Sequence, residues 1–249
     1  MKLSEMSSGS SYAKILLLGE SGSGKSIGAS TFPGIKHYAD FDNKIESTAL
    51  FHAKNKEALE SISVVQYGKM PVKGEAGKRK PRMQAFLDEL NTIYALQNSG
   101  KPLPFQTLVI DTISTMADSI LEDYRYVSQL GIKRPNVDQN SQSDYGLLAT
   151  HVKQIITGIL SLDCNVVVIG HTMREKDEST GIITNQIMFP GQMSNKLGIY
   201  FQEVYFARFN QAGQHVWQTK ADPKSPFCKT ARGLPPEIQA NYSEIIKAR

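Results

Sequence analysis

The sequence predicts an α/β fold, a mostly parallel sheet flanked by helices with an antiparallel extension late in the chain. Three observations predict it. Short apolar strands alternate with helical patterns from Ala13 to Ile169, a glycine-rich loop joins the first strand to the first helix, and the segments after Ile169 alternate as hairpins do. At 249 residues the chain can form one large core. No internal repeat divides it, so we expect a disordered tail over residues 1–11 and a single domain over 12–249.

Ala13 to Leu18 reads as a buried strand bounded by Gly19, and a helix follows from Lys25. It stops at Phe32-Pro33-Gly34, because proline disfavours helical geometry in the residue before it. Further strands are expected at Ile35 to Ala39 and at Ser61 to Tyr67. Met83, Phe86, Leu87, Leu90, Ile93 and Tyr94 then recur at helical spacing. Thr107 to Ile110 is another buried strand, Ile113 to Leu130 a helix, and Gly131 to Asn140 a polar loop. Ser141 and Asp144 form a capping box for a helix whose Leu148, Val152, Ile155, Ile159 and Leu162 make one apolar stripe. Val166 to Ile169 is the next strand. Hairpin-like segments (Ile182 to Met188, Glu203 to Phe209, His215 to Thr219) precede a last helix from Pro236.

A content of 40% hydrophobic and 21% charged residues excludes a wholly disordered, collagenous or coiled-coil chain. No apolar run approaches the roughly 18 residues a membrane helix needs, and the first twelve residues are polar, so the expected location is the cytoplasm, with no membrane partner. Cys164 and Cys228 are too few and too far apart for a disulfide framework or a cysteine zinc site. The 28 basic residues against 24 acidic ones permit a polyanionic partner without requiring one.

Gly19-Glu20-Ser21-Gly22-Ser23-Gly24-Lys25-Ser26 matches G-x-x-x-x-G-K-[ST] at every fixed position, with a strand before it and a helix after it. Chance would produce about one such match per hundred chains of this length. The glycines let successive N–H groups from Gly19 to Ile27 point at phosphate oxygens. Lys25 is placed to reach the β- and γ-phosphates, and the Ser26 hydroxyl to bind Mg²⁺. The metal needs a second anchor at a strand end, and Leu108-Val109-Ile110-Asp111 supplies one; an N-cap for the helix from Ile113 is the other use of that acid, a role Thr112 could also fill. Hydrolysis needs a carboxylate that orients water. Asp40-Phe41-Asp42 offers two, of which we favour Asp42, against a plain acidic turn with Asn43. His171, after the strand Val166 to Ile169, is placed to sense the γ-phosphate or to cap the strand end. No N-K-x-D or L-S-G-G-Q motif is present, and Asp111 is followed by Thr-Ile-Ser rather than x-x-G, so ATP is the expected nucleotide.

The phosphate loop, Phe32-Pro33, Asp40-x-Asp42, Leu108 to Asp111, Asp144-Tyr145-Gly146, Val166 to His171 and Lys229-Thr-Ala-Arg232-Gly-Leu-Pro235 together resemble phage-type RecA-like ATPases of the single-strand annealing and recombination group. The resemblance covers about residues 12 to 236 and implies a RecA-like core and a Mg²⁺-dependent ATPase stimulated by DNA. Its implied partners are single-stranded DNA, further copies of the chain in a ring or filament, and a single-strand-binding protein. It also implies that Lys229 or Arg232 reaches a neighbour's γ-phosphate, with ordinary solvated residues as the alternative. Where that family has Glu followed by Gly-Gly, this chain has Asp42-Asn43-Lys44, which points to slow hydrolysis. Where it has Lys-x-Arg, Lys229 and Arg232 are one residue further apart, which leaves open which carries the role.

Lys69 to Arg82 holds Lys69, Lys73, Lys78, Arg79, Lys80 and Arg82 against Glu75 alone, suited either to a DNA backbone or to a solvated linker. In the loop Thr172 to Pro190, Arg174 and Lys176 are offset by Glu175, Asp177 and Glu178. Two other functions fit the phosphate loop: a remodelling, packaging or helicase-loading ATPase of AAA type, and a small-molecule kinase, although the Arg-rich lid of the latter is missing.

Overall fold

In the computed structural model, residues 12–71, 80–126, 140–176, 178–179 and 181–247 are described. The tail 1–11, the polar loop Gly131 to Asn140 except its last residue, the end of the helix expected to reach Leu130, and the centre of the basic segment, 72–79, lie outside them.

Apolar runs that are buried on both faces become the parallel strands. These are β1 (Lys14–Gly19), β2 (Lys36–Asp40), β3 (Ile62–Gln66), β4 (Thr107–Asp111) and β5 (Asn165–Lys176). With β7 (Glu203–Phe209) they line up as β3-β2-β4-β5-β1-β7, every neighbouring pair parallel. The sheet then turns antiparallel through β8 (His215–Gln218) and β9 (Glu237–Gln239), while β6 (Ile183–Ile187) pairs antiparallel with the outer half of β5. The expected mostly parallel sheet with a late antiparallel extension is therefore the fold observed.

Side-chain alternation splits each strand between two cores. Leu16, Leu18, Ile110, Val166 and Val168 face α4 (Arg82–Asn98), α5 (Ile113–Tyr126) and α6 (Gln142–Leu160). Ile15, Leu17, Val109, Val167 and Ile169 face α1 (Lys25–Ser30), where Ala29 packs, and α8 (Tyr242–Ile246), which brings Ile245. The expected capping box forms at the start of α6, with the Ser141 N–H donating to Asp144 at 2.6 Å. Three short helices, α2 (Glu46–Phe51), α3 (Lys56–Glu60) and α7 (Met193–Lys196), carry too few turns to show a period and were not expected.

Two expectations are corrected. No helix starts at Pro236. Residues 237–239 pair with β8, with Ile238 buried against Trp217 in the sheet, and the helix begins only after Asn241, whose side chain accepts the Ser243 N–H at 2.9 Å. Nor is the segment after Gly170 loop throughout, because Thr172 to Lys176 continue β5 and find antiparallel partners in Ile183 to Ile187.

Gly28 and Gly146 are helical glycines under opposite constraints. A Cβ on Gly28 would meet the Trp217 ring at 2.6 Å, whereas one on exposed Gly146 meets nothing within 4 Å. Gly28→Ala is expected to destabilise the protein by about 1–3 kcal/mol through overpacking. Gly146→Ala should stabilise it by roughly 0.5–1 kcal/mol through helix propensity. Urea unfolding of the two variants checks both signs.

Candidate nucleotide site

The parallel register gathers the charged residues at one end of the sheet. Asp40 lies opposite Asp111, Asp111 opposite Ile169, and Gly19 opposite His171. The carboxyl ends of β1, β2 and β4 thus converge around His171, midway along β5, the place where ligands bind in open α/β sheets.

Between β1 and α1 the chain needs conformations that only glycine adopts without strain: φ is +79° at Gly22 and +82° at Gly24. A side chain on Gly24 would also strike His215, whose Nδ1 lies 3.0 Å from the Ser23 carbonyl and supports the loop from β8. Glu20, Ser21 and Gly22 are exposed, Ser26 and Ile27 half-buried, and Lys25 buried. Lys25 Nζ donates to the carbonyls of Gly19 at 3.0 Å and Glu20 at 2.7 Å. The Ser26 hydroxyl donates to Asp111 Oδ2 at 2.5 Å, and Tyr38 on β2 holds the Ser26 carbonyl at 2.9 Å.

Asp40 and Asp42 divide their work. Asp40 is 1% exposed and turns back on its own loop, accepting the Asp42 N–H at 3.1 Å. Asp42 instead points across to β5 and α5: His171 Nε2 lies 3.1 Å from Oδ2, while the Thr112 hydroxyl, at 3.1 Å, and the Thr115 hydroxyl both donate to Oδ1. Lys44 Nζ stands 3.8 Å from Oδ2. Lys25, Ser26, Asp111, Asp42 and His171 are therefore brought together. Sequence reasoning had placed Thr112 only as a helix cap and had missed Thr115 and His215; the Thr-x-x-Thr spacing directly after Asp111 was the one available sign of the first two.

Lys229 and Arg232 are not brought to this cluster. Lys229 bridges Val204 near the start of β7, at the opposite end of the sheet, with its side chain exposed. Arg232 lies 3.7 Å from buried Glu203 and donates to the Tyr12 carbonyl at 3.4 Å. In the basic segment, Lys80 pairs with Asp88, and Arg82 donates to the Met70 carbonyl at 2.9 Å. Beside the phosphate loop a cleft of about 880 Å³ is lined by Ser21, Ser23, Ile183, Phe206 and Phe209, and across it Arg174 on β5 reaches Glu20 at 2.8 Å.

The sequence profile of a family described as an AAA domain matches residues 11–226. The chain belongs to this family. No curated protein matches it. Among solved structures it is similar to that of the RadB recombinase, at 14% identity over 86% of this chain and 84% of that one with a TM-score of 0.44, a likeness too distant to carry an argument.

The electrostatics of this AAA-domain site suit a nucleotide with Mg²⁺. Burial pushes Lys25 down to about 8, against the pull of Asp111 and Asp42, so its ammonium would gain from an anionic partner that the two neutral carbonyls it holds do not supply. No cluster of three or more His, Cys, Asp or Glu that could hold a metal exists among the described residues. The hydroxyl and carboxylate of Ser26 and Asp111 fit a hard cation whose other ligands are phosphate oxygens and water. Burial lifts Asp111 to about 6, helped by the neighbouring charges of Asp42 and Asp40 and opposed by the Ser26 hydrogen bond and Lys25. Burial would also raise Asp42, but the hydrogen bonds from His171, Thr115 and Thr112 reverse it and hold the carboxyl at about 2.

These opposite displacements give opposite pH dependences in the ligand-free protein. Asp42 lies below its ordinary 3.8, so its contribution to stability is complete above about pH 4 and fades as the pH falls towards 2. Asp42→Asn should therefore cost about 2 kcal/mol at pH 7 and progressively less in acid. Asp111 lies above 3.8, so the fold holds its proton more tightly than the unfolded chain does, and stability falls as the pH rises through 6. Asp111→Asn should be stabilising at pH 8 relative to the parent and lose that advantage towards pH 4. Urea unfolding across this range decides, and a destabilised Asp111→Asn at pH 8 would contradict the assignment.

Proposed function

We propose that this AAA-domain protein binds ATP with Mg²⁺, hydrolyses it slowly, and acts on single-stranded DNA in phage recombination or strand annealing as a ring or filament with composite sites. The observation that carries the ATPase reading is the meeting of the phosphate loop, the Ser26–Asp111 pair and the Asp42–His171 pair at the carboxyl ends of β1, β2 and β4 and at His171 on β5.

The loop N–H groups from Gly19 to Ile27 hold the phosphates, and Lys25 leaves the Gly19 and Glu20 carbonyls for the β- and γ-oxygens. Ser26 and Asp111 would hold Mg²⁺, which supplies neutralisation of the charge developing on those oxygens. A carboxyl held near 2 is fully ionised at neutral pH and a weak base, so Asp42 orients the attacking water rather than keeping its proton. His171 fixes Asp42 and borders the γ-phosphate position.

The DNA reading is supported by the resemblance in motifs and by the cations of Lys69 to Arg82, of which Lys69 is exposed. A single-strand-binding protein is a further partner on the same resemblance. Lys229, exposed and distant from its own site, suits a cation that acts on a neighbour's γ-phosphate better than Arg232, which Glu203 already neutralises. No helix among the described residues is long and apolar enough to cross a membrane, and the proposed setting is the cytoplasm.

ATP turnover measured with and without single-stranded DNA tests this reading. Turnover that responds to a protein partner but not to DNA would favour a remodelling ATPase, and turnover that needs a phosphate acceptor a kinase. Lys25→Ala should abolish ATP binding or turnover while leaving the fold intact. Asp42→Asn should retain ATP affinity within a few-fold and lose about 10²–10⁴ in rate. Mixing Lys25→Ala with Lys229→Ala should restore part of the activity that neither has alone; co-assembly without recovery rules out action in trans.

A further inference from the structure

The acid proposed to orient water is itself held by two hydroxyls. Thr112 immediately precedes α5 and Thr115 lies in its first turn, where the Thr115 N–H donates to the Thr112 hydroxyl and brings the two side chains together. Each gives its proton to Asp42 Oδ1, and the two hydroxyl oxygens lie 3.2 Å from each other. Thr112 is 1% exposed and also accepts the Thr115 N–H at 3.3 Å, which fixes its rotamer.

A carboxylate offers about four lone-pair positions, two on each oxygen. At Asp42 both positions on Oδ1 are taken by threonine hydroxyls, and one on Oδ2 is taken by His171. Lys44, 3.8 Å from Oδ2, is too far for a hydrogen bond. One lone pair remains, on Oδ2. Any twist of the carboxylate plane away from this orientation would weaken all three bonds, while a full half-turn only exchanges two equivalent oxygens and restores them.

We propose that Thr115, with Thr112, is a positioning residue for hydrolysis. By occupying Oδ1 and blocking rotation of the carboxylate, the two hydroxyls confine the water-accepting position to a single lone pair of Oδ2. The proposal rests on the reading of Asp42 as the water-orienting acid. Small misplacements of a catalytic group are costly in rate, so the hydroxyls govern turnover rather than nucleotide affinity.

Thr115 is the residue to change, because Thr112 also caps α5 and its loss would disturb the helix. Thr115→Val keeps the branched shape and removes only the hydroxyl. We expect it to lower kcat by roughly 10- to 100-fold with ATP affinity within about twofold. Thr115→Ser, which restores the hydroxyl, should return kcat to within about threefold of the parent. In an Asp42→Asn background Thr115→Val should have no further effect on rate. A separate measurement needs no nucleotide: in the ligand-free protein Thr115→Val should lower the urea midpoint, and lower it by clearly less when Asp42 is already alanine. Equal midpoint shifts in the two backgrounds, or an unchanged kcat in Thr115→Val, would overturn the proposal. Should the valine variant not fold, Thr115→Ala enters the same comparisons. Full turnover by Asp42→Asn would instead sink the reading of Asp42 itself, while the ligand-free comparison would still report whether Thr115 holds it.

Discussion

Like charges crowded by a parallel register are the constraint on which this site depends. Once β2 and β4 pair with Asp40 opposite Asp111, and the chain turns immediately after β2, three carboxyl groups occupy one buried corner, with buried Lys25 and the more exposed Lys44 as its cations. Buried charges are tolerated only when each is solvated by protein groups or neutralised. The corner meets this by treating the three acids differently. Asp40 is committed to the backbone of its own turn, Asp111 shares the Ser26 proton, and Asp42 collects donors from α5 and β5. Acids of one type thereby acquire separate tendencies to hold a proton, which is the usual basis for dividing metal-binding and water-directing roles.

The same register explains how far the phosphate loop must reach. Asp111 ends β4, and β5 stands between β4 and β1. Two strand spacings, about 10 Å, separate the strand that feeds the loop from the strand that ends in Asp111. The loop and the first turn of α1 span that width past β5, so Ser26 can meet Asp111 at 2.5 Å. Tyr38 anchors this crossing from beneath, and His215 supports the loop from the other side. Glycine at 24 serves both needs, a left-handed backbone and room for the His215 ring.

What could be read from the sequence follows from which interactions leave a local trace. β1, β4 and the inner part of β5 are continuous apolar runs because both faces are covered, and such runs are visible without knowledge of their partners. The phosphate loop is visible because its chemistry fixes residue types at fixed spacing. Ser141 and Asp144 announce α6 for the same reason. β9 was misread because three residues give no period and the sheet edge of β8 decides their state. The partners of Asp42 were equally hidden: Thr112 and Thr115 lie 70 and 73 residues away in sequence, and a threonine near a helix start ordinarily signals only a cap.

The placement of the late cations constrains assembly on the proposed reading. The phosphate loop sits at the carboxyl ends of the parallel strands, whereas Lys229 pairs beside Val204 and Arg232 beside Glu203, both near the amino end of β7. The length of β7 from Val204 to Ala207, the residue opposite Gly19, separates Lys229 from its own loop. On the proposed reading, contact between such surfaces joins the amino end of one sheet to the carboxyl end of the next, and repeated head to tail it makes a heterologous interface. Interfaces of this kind close into rings or continue as filaments according to the rotation between neighbours, and they cannot stop at a symmetric pair. Arg232 enters such an interface already neutralised by Glu203, which lowers its desolvation cost and makes it a structural support. Lys229 carries its charge outside that pair, which on the proposed reading makes it the better placed of the two to meet an anion on the neighbour.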